Sequence, residues 1–229
     1  MKENRKVFEH VDIDLEELET VEIEGKRRYV IPNGQWYPSV TTVLSILSEA
    51  GIAAWKRRVG EEEAAKVSFR ASQRGTAVHE IIEKYIDNLD DYNAGYMPNI
   101  IENFQSVRSI IDERVGKVYA QECALYSDHL RLAGRVDCVA EFDGTLSIID
   151  FKTAKRKKYR SGIKQYFQQE AAYAIMFEER TGLPVTQLVT LIAVDDDQPQ
   201  VFIEHRDEWA PELKKTIDVY NKRENANVA

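Results

Sequence analysis

The chain has 229 residues and a formal net charge of −8, and 43% of its residues are hydrophobic. This composition is typical of a soluble globule with a substantial core, and the length suits one large domain spanning 1–229. The two cysteines, Cys123 and Cys138, exclude a disulfide framework and a zinc or iron–sulfur site built from several cysteines. The N-terminus has no apolar signal core, and no apolar run reaches the length of a membrane span, so we expect a cytoplasmic protein without a membrane partner.

The first half of the chain is predicted to form a hairpin followed by helices. Residues 1–35 form an N-terminal extension whose hairpin turns around Gly25, and residues 36–115 form a helical portion. The apolar periodicity and the turn residues predict the following helices and one polar break between them. The helices are expected at 52–67, 76–89 and 100–115, and the break at 68–75.

Three hydroxyl side chains lie at the start of a short helix that follows Pro38. Ser39 is predicted to cap this helix, because a serine oxygen accepts a hydrogen bond from a free amide of the first turn. Ser39, Thr41 and Thr42 either serve this capping and turn chemistry or contact a phosphate together with the helix-start amides. The residues alone leave both interpretations open.

His79 and Glu83 lie one turn apart on the amphipathic helix 76–89, so they share a helix face. A histidine beside an apolar stripe is either a core residue with its hydrogen bonds satisfied or a ligand. The sequence HEIIE differs from the zinc-peptidase pattern HExxH, because Glu83 stands where that pattern has its second histidine. Glu83 remains a candidate to support a ligand from the same helix face.

Two acidic residues are predicted to face each other across a tight hairpin. Asp143-Gly144 is a strong two-residue turn signal, and counting outward from it places Asp137 opposite Asp150, with Lys152 on the same face. At about 5 Å and an effective dielectric near 20, two such carboxylates repel by roughly 3 kcal/mol. A divalent cation between them would reverse the sign of this interaction, since hard cations take oxygen ligands. The alternative is a surface hairpin with solvated acids.

Apolar residues on both faces of this hairpin argue against the solvated alternative. The apolar residues expected on the face opposite the acids are Val136, Cys138, Ala140, Ile149 and Phe151. Those expected on the same face as the acids are Val139, Leu146 and Ile148. Strands covered on both faces are central strands, where acidic side chains need partners. Glu122, on the preceding strand, either supports a metal ligand or lies at the rim in solvent.

The rest of the chain is predicted to complete a sheet at 116–205 and to end in a C-terminal helix and tail at 206–229. A basic loop follows the hairpin and contains Lys155, Arg156, Lys157, Lys158, Tyr159 and Arg160. Such a run is either a solvated loop or, beside a metal, a contact for phosphates. In the helix after it, at 165–180, Gln165, Gln169 and Tyr173 recur every fourth residue and form one polar row.

Four motifs of the chain, in this order, resemble those of the PD-(D/E)XK nuclease superfamily. They are GTAVH at 75–79, GRVD at 134–137, DFK at 150–152 and QEAAY at 169–173. The match is to the RecB-type branch, and within it to the phage exonucleases and the mitochondrial genome maintenance exonucleases. Val136 stands where the superfamily has the proline of its name, a departure that is frequent in this branch.

The resemblance implies an α/β (α+β) fold with a restriction-endonuclease-like core, in which helices flank a central mixed sheet, and an N-terminal helical portion. It implies one or two Mg²⁺ or Mn²⁺ ions and no iron–sulfur cluster. The ligands would be His79, Asp137, Asp150 and the Phe151 carbonyl. Asp137, Asp150 and Lys152 would be catalytic, with Lys152 positioning or activating a water. Gln169 and Tyr173 would brace the site and touch DNA.

We therefore expect a metal-dependent exonuclease that hydrolyses phosphodiester bonds from DNA ends, with single-stranded DNA as substrate. Its setting would be phage or cellular DNA replication, recombination or repair, with a recombination or single-strand-binding protein as a partner. Two other functions remain open. One is a structure-specific endonuclease of the same fold, and the other is a non-catalytic DNA-binding module.

Overall fold

A computed structural model describes residues 5–228 of the chain. Its centre is a five-stranded mixed sheet with the order β4-β5-β6-β7-β8, in which β6 and β7 are parallel and all other neighbours are antiparallel. The strands are β4 (Val115–Ser127), β5 (Leu132–Phe142), β6 (Thr145–Ala154), β7 (Gln187–Val194) and β8 (Gln200–His205). A smaller antiparallel sheet contains β1 (Thr20–Ile23), β2 (Lys26–Val30) and β3 (Trp36–Pro38). The predicted mixed sheet is therefore confirmed.

Six α-helices flank the sheet in the described part of the chain. They are α1 (Val40–Leu44), α2 (Glu49–Val59), α3 (Glu61–Ile86), α4 (Pro98–Arg114), α5 (Lys164–Thr181) and α6 (Arg206–Val228). Short 3-10 turns stand at Ser45–Leu47 and Arg160–Gly162. None of the helices within residues 5–228 combines the length and the apolar composition that crossing a bilayer requires. The predicted segments 1–35 and 206–229 include residues 1–4 and 229, which lie outside the described residues.

The predicted polar break at 68–75 is wrong, because α3 runs through it without interruption from Glu61 to Ile86. The chain breaks earlier, at Gly60, whose φ of 89° is a conformation that glycine adopts without a steric penalty. Serine, glutamine and arginine are compatible with an exposed helix, so the polar composition of 68–75 reflects exposure and not a loop. In the predicted C-terminal segment 206–229, α6 begins at Arg206 and includes Pro211.

The hairpin that joins β5 and β6 has the predicted turn. Phe142 pairs with Thr145 around Asp143 and Gly144, whose φ values of 53° and 76° are those of the turn that matches strand twist. The ladder runs as far as the pair Cys138–Ile149. One residue further on, the side chain of Asp137 accepts a hydrogen bond from the backbone N–H of Phe151 at 2.9 Å.

Two apolar clusters cover the two faces of the sheet. One cluster joins Val139 and Ile148 to α1, α5 and α6, and the other joins Cys138 and Ile149 to α3 and α4. Val136 was expected to share a face with Cys138, but it packs in the cluster of Val139. The ladder between β4 and β5 pairs Gln121 with Cys138 and Cys123 with Val136 but leaves out Glu122 and Asp137, and Glu122 has a φ of +44°. The regular alternation of faces is therefore lost around Asp137.

Gly134 lies under the ring of Tyr173, where α5 crosses β5. A Cβ atom at Gly134 would stand 2.8 Å from Cε1 and 2.9 Å from the hydroxyl of Tyr173. Only glycine allows this approach, because real Cβ atoms do not come so close to other heavy atoms. Tyr173 is 3% exposed, so it has no open space into which it could retreat.

We predict that Gly134→Ala lowers the free energy of unfolding by about 1–3 kcal/mol, because the new methyl group overpacks the contact with Tyr173. Urea denaturation measures this change. The matched control is Gly51→Ala in α2, where a Cβ meets nothing within 4 Å. That variant should be unchanged or up to about 1 kcal/mol more stable, since alanine favours a helix. Equal stability of Gly134→Ala and the wild type would contradict the contact.

Candidate active site

The site lies where β5 and β6 separate, between α3 and α5. His79 of α3 is 2.6 Å from the Phe151 carbonyl oxygen through Nε2, and its Nδ1 is 3.6 Å from Oδ2 of Asp137. A carbonyl can only accept, so Nε2 carries a proton, and Nδ1 is the ring nitrogen that faces the acidic group. A backbone carbonyl that orients an imidazole in this way is typical of histidines that bind metals.

Glu122 of β4 is the third member of the group. Its Oε1 is 4.0 Å from Nδ1 of His79, and one ligand atom each from His79, Glu122 and Asp137 lie within 4.8 Å of one another. Burial raises the pKa of Glu122 to about 7, and the charges of Asp137 and Glu83 act in the same direction. Of the two positions considered for Glu122, the structure shows the inner one, beside Asp137.

Asp150 and Lys152 form an ion pair next to this group. The Asp150 side chain is buried, and its Oδ1 accepts a hydrogen bond of 3.1 Å from Nε2 of Gln169. Burial raises the pKa of Asp150 to about 6, although the Lys152 charge opposes this shift. Burial alone would lower the pKa of Lys152, but the charges of Asp150 and Asp137 outweigh it and raise that pKa. Lys152 therefore keeps its positive charge at neutral pH.

The donor set fits a divalent cation. Two carboxylates and one imidazole face one another, and the group itself contains little positive charge. A divalent ion between them would therefore offset the repulsion between the two carboxylates. The arrangement differs from the expected ligand set in two respects. The Phe151 carbonyl accepts a hydrogen bond from His79, and Asp150 is engaged by Lys152 and Gln169 instead of joining the group of three within the described residues.

A cleft of about 400 Å³ opens beside the group. Its lining consists of Gly75, Thr76, His79, Glu80, Glu83 and Glu122. Glu83 thus lies in the cleft near the ligands but outside the close group, and burial raises its pKa. Tyr173 is buried against Gly134, where it braces β5 from the side of α5.

The hydroxyl residues near Pro38 were expected either to cap a helix or to contact a phosphate, and they differ in their settings. Ser39 is buried, and its Oγ accepts a hydrogen bond of 3.0 Å from the backbone N–H of Thr42, which is the capping geometry. Its Oγ is also 3.0 Å from Oγ1 of Thr41. Thr41 itself is exposed and can meet a ligand from solvent.

Ion pairs hold only part of the basic loop. Lys157 pairs with Asp197 at 2.7 Å, and Arg160 pairs with Glu204 at 2.6 Å, so these two charges are offset by the β7–β8 region. Tyr159 is 84% exposed. Three further cations of the loop are exposed, and the described part of the chain shows no ion pair for them: Lys155, Arg156 and Lys158.

The structure adds two residues that the sequence did not single out. Nζ of Lys152 is 5.2 Å from the ring centroid of Tyr166, so the ring covers the ammonium group on one side. Glu170 is fully buried and accepts a hydrogen bond from Thr190, the residue that pairs with Asp150 across β6 and β7. Burial and the nearby Asp150 raise the pKa of Glu170 well above its ordinary value. Only the register of the parallel strands β6 and β7, which pairs Thr190 with Asp150, could have indicated that Glu170 lies near Asp150.

We predict that the metal-free protein becomes less stable as the pH rises from 5 to 7. In this range folded Glu122, with a pKa of about 7, keeps a proton that the unfolded chain releases near pH 4.5. The unfolding free energy then falls by at most about 1.4 kcal/mol per pH unit for one such proton. Mn²⁺ should stabilise the protein more at pH 7.5 than at pH 5.5, because its ligands must be deprotonated.

Urea unfolding in EDTA and in Mn²⁺, across this pH range, measures both effects. Glu122→Gln should reduce the slope in EDTA, whereas Glu16→Gln, at an exposed position of the N-terminal segment, should leave it unchanged. Asp150, with its raised pKa, contributes in the same direction and leaves part of the slope in place. Identical slopes for the wild type and Glu122→Gln would show that Glu122 is not held in this environment.

Comparison with known proteins links this site to a nuclease family. The mouse protein named mitochondrial genome maintenance exonuclease 1 is 30% identical over 129 residues, which cover 53% of this chain and 38% of the mouse protein. Its namesake from Xenopus tropicalis is 28% identical over 205 residues, which cover 84% of this chain and 57% of the frog protein. A crystal structure from Eubacterium rectale matches 69% of both chains at 13% identity and a TM-score of 0.45.

The chain thus spans about half the length of the curated relatives it matches. The family model described as the PD-(D/E)XK nuclease superfamily matches residues 93–226, which is more than half of the 229 residues. That range contains Glu122, Asp137, Asp150 and Lys152, while His79 lies before it. On this match, the chain belongs to the PD-(D/E)XK nuclease superfamily.

Proposed function

We propose that this chain is a metal-dependent deoxyribonuclease that removes nucleotides from DNA ends, with single-stranded DNA as its substrate. The observation that supports this most is the group of His79, Glu122 and Asp137 within 4.8 Å, beside the ion pair of Asp150 and Lys152. Family membership supports phosphodiester hydrolysis as the reaction class, and the names of the mouse and frog relatives support an exonuclease activity.

His79 through Nδ1, together with the carboxylates of Asp137 and Glu122, would hold one Mg²⁺ or Mn²⁺. Asp150, whose charge interacts with Asp137 and His79, would help to hold a second ion. Such an ion would neutralise the scissile phosphate and lower the pKa of a bound water. The backbone N–H of Phe151 holds Asp137, and the Phe151 carbonyl holds His79, so the two ligands are oriented by one peptide segment of β6.

Lys152 would stabilise the negative charge that develops on the phosphate. The charges of Asp150 and Asp137 raise the pKa of Lys152, which favours the protonated ammonium group as a positive charge beside the phosphate. Gln169 would keep Asp150 in place through its hydrogen bond. The ring of Tyr166 limits the directions in which the ammonium group can move.

The DNA backbone would lie over the basic loop. Lys155, Arg156 and Lys158 are exposed and can contact phosphates, while Lys157 and Arg160 would first have to leave their acidic partners. Tyr159 is exposed enough to stack on a base of a single strand. Thr41 and Ser39 remain part of the proposed interface, with Thr41 as the accessible hydroxyl of the two.

We predict that Asp150→Asn and Lys152→Ala each lower kcat by at least about 100-fold. Asp150→Asn removes a carboxylate that would hold a cation and that pairs with Lys152, and Lys152→Ala removes the positive charge beside the phosphate. Digestion of end-labelled single- and double-stranded oligonucleotides, in Mg²⁺, Mn²⁺ or EDTA, measures the loss. Lys214→Ala, an exposed lysine of α6, is the matched control and should keep full activity. Full activity of Lys152→Ala, or undiminished cleavage in EDTA, would refute the proposal.

An exonuclease and a structure-specific endonuclease of the same fold differ in their need for an end. We predict that linear single-stranded DNA is degraded while a circular strand of the same sequence stays intact. Gel analysis of both substrates over time checks this. Cleavage of the circle at a comparable rate would favour the endonuclease, and no cleavage of either substrate would favour a non-catalytic DNA-binding module.

A further inference from the structure

The N-terminal half of α3 is an exposed helix segment that the site described above does not use. Within 65–73, every residue is exposed except Val67, so this part of the helix packs little against the sheet. Phe69 stands in its middle with 62% of its surface exposed. The side chains one turn away are Ala65, Lys66, Ser72 and Gln73, none of which covers an aromatic ring from solvent.

Phe69 points along the same face of α3 as the cleft. At 100° per residue, Phe69 lies within about 40° of Thr76 and Glu83, both of which line the cleft beside His79. The rise of 1.5 Å per residue places Phe69 about 15 Å from His79 along the helix axis. A strand that leaves the site along this face of α3 therefore passes the ring.

A cation follows Phe69 directly in the helix. Arg70 is exposed, and the described part of the chain shows no ion pair for it, whereas Lys66 and Arg74 are already paired with acidic residues. Arg70 can therefore contact a phosphate without leaving an acidic partner. The segment does not suit an apolar protein partner, because Phe69 is the one large apolar side chain that is exposed in 65–73.

The exposed segment 65–73 ends next to the start of the basic loop. A Cβ at Gly75, two residues past the segment, would be 3.9 Å from Oγ1 of Thr153, the residue two positions before Lys155. The helix and the loop both pair with the turn after β7, since Arg74 pairs with Asp195 and Lys157 pairs with Asp197. The segment 65–73 and the basic loop therefore begin at neighbouring points of the structure.

We propose that Phe69 is a stacking platform for a nucleobase of single-stranded DNA, about four nucleotides from the scissile phosphate at the 3.4 Å spacing of a stacked strand. This inference rests on the proposed nuclease function. An exposed aromatic ring binds a base through its face without regard to sequence, and flanking cations hold the backbone. Phe69 contributes to binding the substrate and takes no part in the chemistry.

The test measures the affinity for fluorescent single-stranded oligonucleotides by anisotropy, in an Asp150→Asn background that leaves the DNA intact. Phe69→Ala should bind about 5- to 150-fold more weakly, the range found when an aromatic platform is truncated. Phe69→Tyr and Phe69→Trp should retain the affinity of the background protein, and Phe69→Leu should be as weak as Phe69→Ala. Ile203→Ala on β8, another exposed apolar residue, should change nothing.

An abasic nucleotide moved along the oligonucleotide locates the stacked base. At one position, the abasic nucleotide should weaken binding to the protein that has Phe69 and should have no further effect on binding to Phe69→Ala. Unchanged affinity of Phe69→Ala, full affinity of Phe69→Leu, or an abasic effect that persists in Phe69→Ala would each overturn the proposal. If single-stranded DNA is cleaved by the wild type but Phe69→Ala binds normally, only this inference fails, whereas absent cleavage and binding in the wild type would remove the proposed function itself.

Discussion

Repulsion among three acidic side chains is the constraint around which the site is arranged. Two carboxylates 4–5 Å apart repel by roughly 3–4 kcal/mol at an effective dielectric near 20. A different interaction offsets this repulsion at each of the three acids. Asp150 faces Lys152 and Gln169, Asp137 accepts the N–H of Phe151, and Glu122 takes up a proton more readily because its pKa is raised. In the proposed metal site, a divalent ion would take the place of this proton and supply a larger positive charge.

The fold holds these groups by packing that lies outside the site. The two apolar clusters fix the sheet between α3 on one face and α5 on the other, so imidazole and carboxylates come from rigid elements. The contact of Tyr173 with Gly134 sets the distance between α5 and β5. The buried hydrogen bond between Thr190 and Glu170 joins the same helix to β7. Small changes at these contacts would displace the ligands without touching them.

Local chemistry made part of this structure predictable. The Asp143-Gly144 turn fixes the register of its hairpin as far as the pair Cys138–Ile149. Counting does not fix the position of Asp137 beyond that pair, because the regular alternation of faces is lost there. Glu122 could be placed only as one of two alternatives, because its inward position depends on a positive φ that the sequence does not show. The continuity of α3 through 68–75 was missed, since a polar exposed helix and a polar loop have similar compositions.

The unbroken run of α3 from Glu61 to Ile86 has a mechanical consequence. An α-helix of this length behaves as a rigid rod, so the distance between Phe69 and His79 along it is fixed. In the proposed nuclease, a DNA fragment shorter than this distance would contact only one of the two side chains. Such a protein would bind its short, late products more weakly than its long, early substrates.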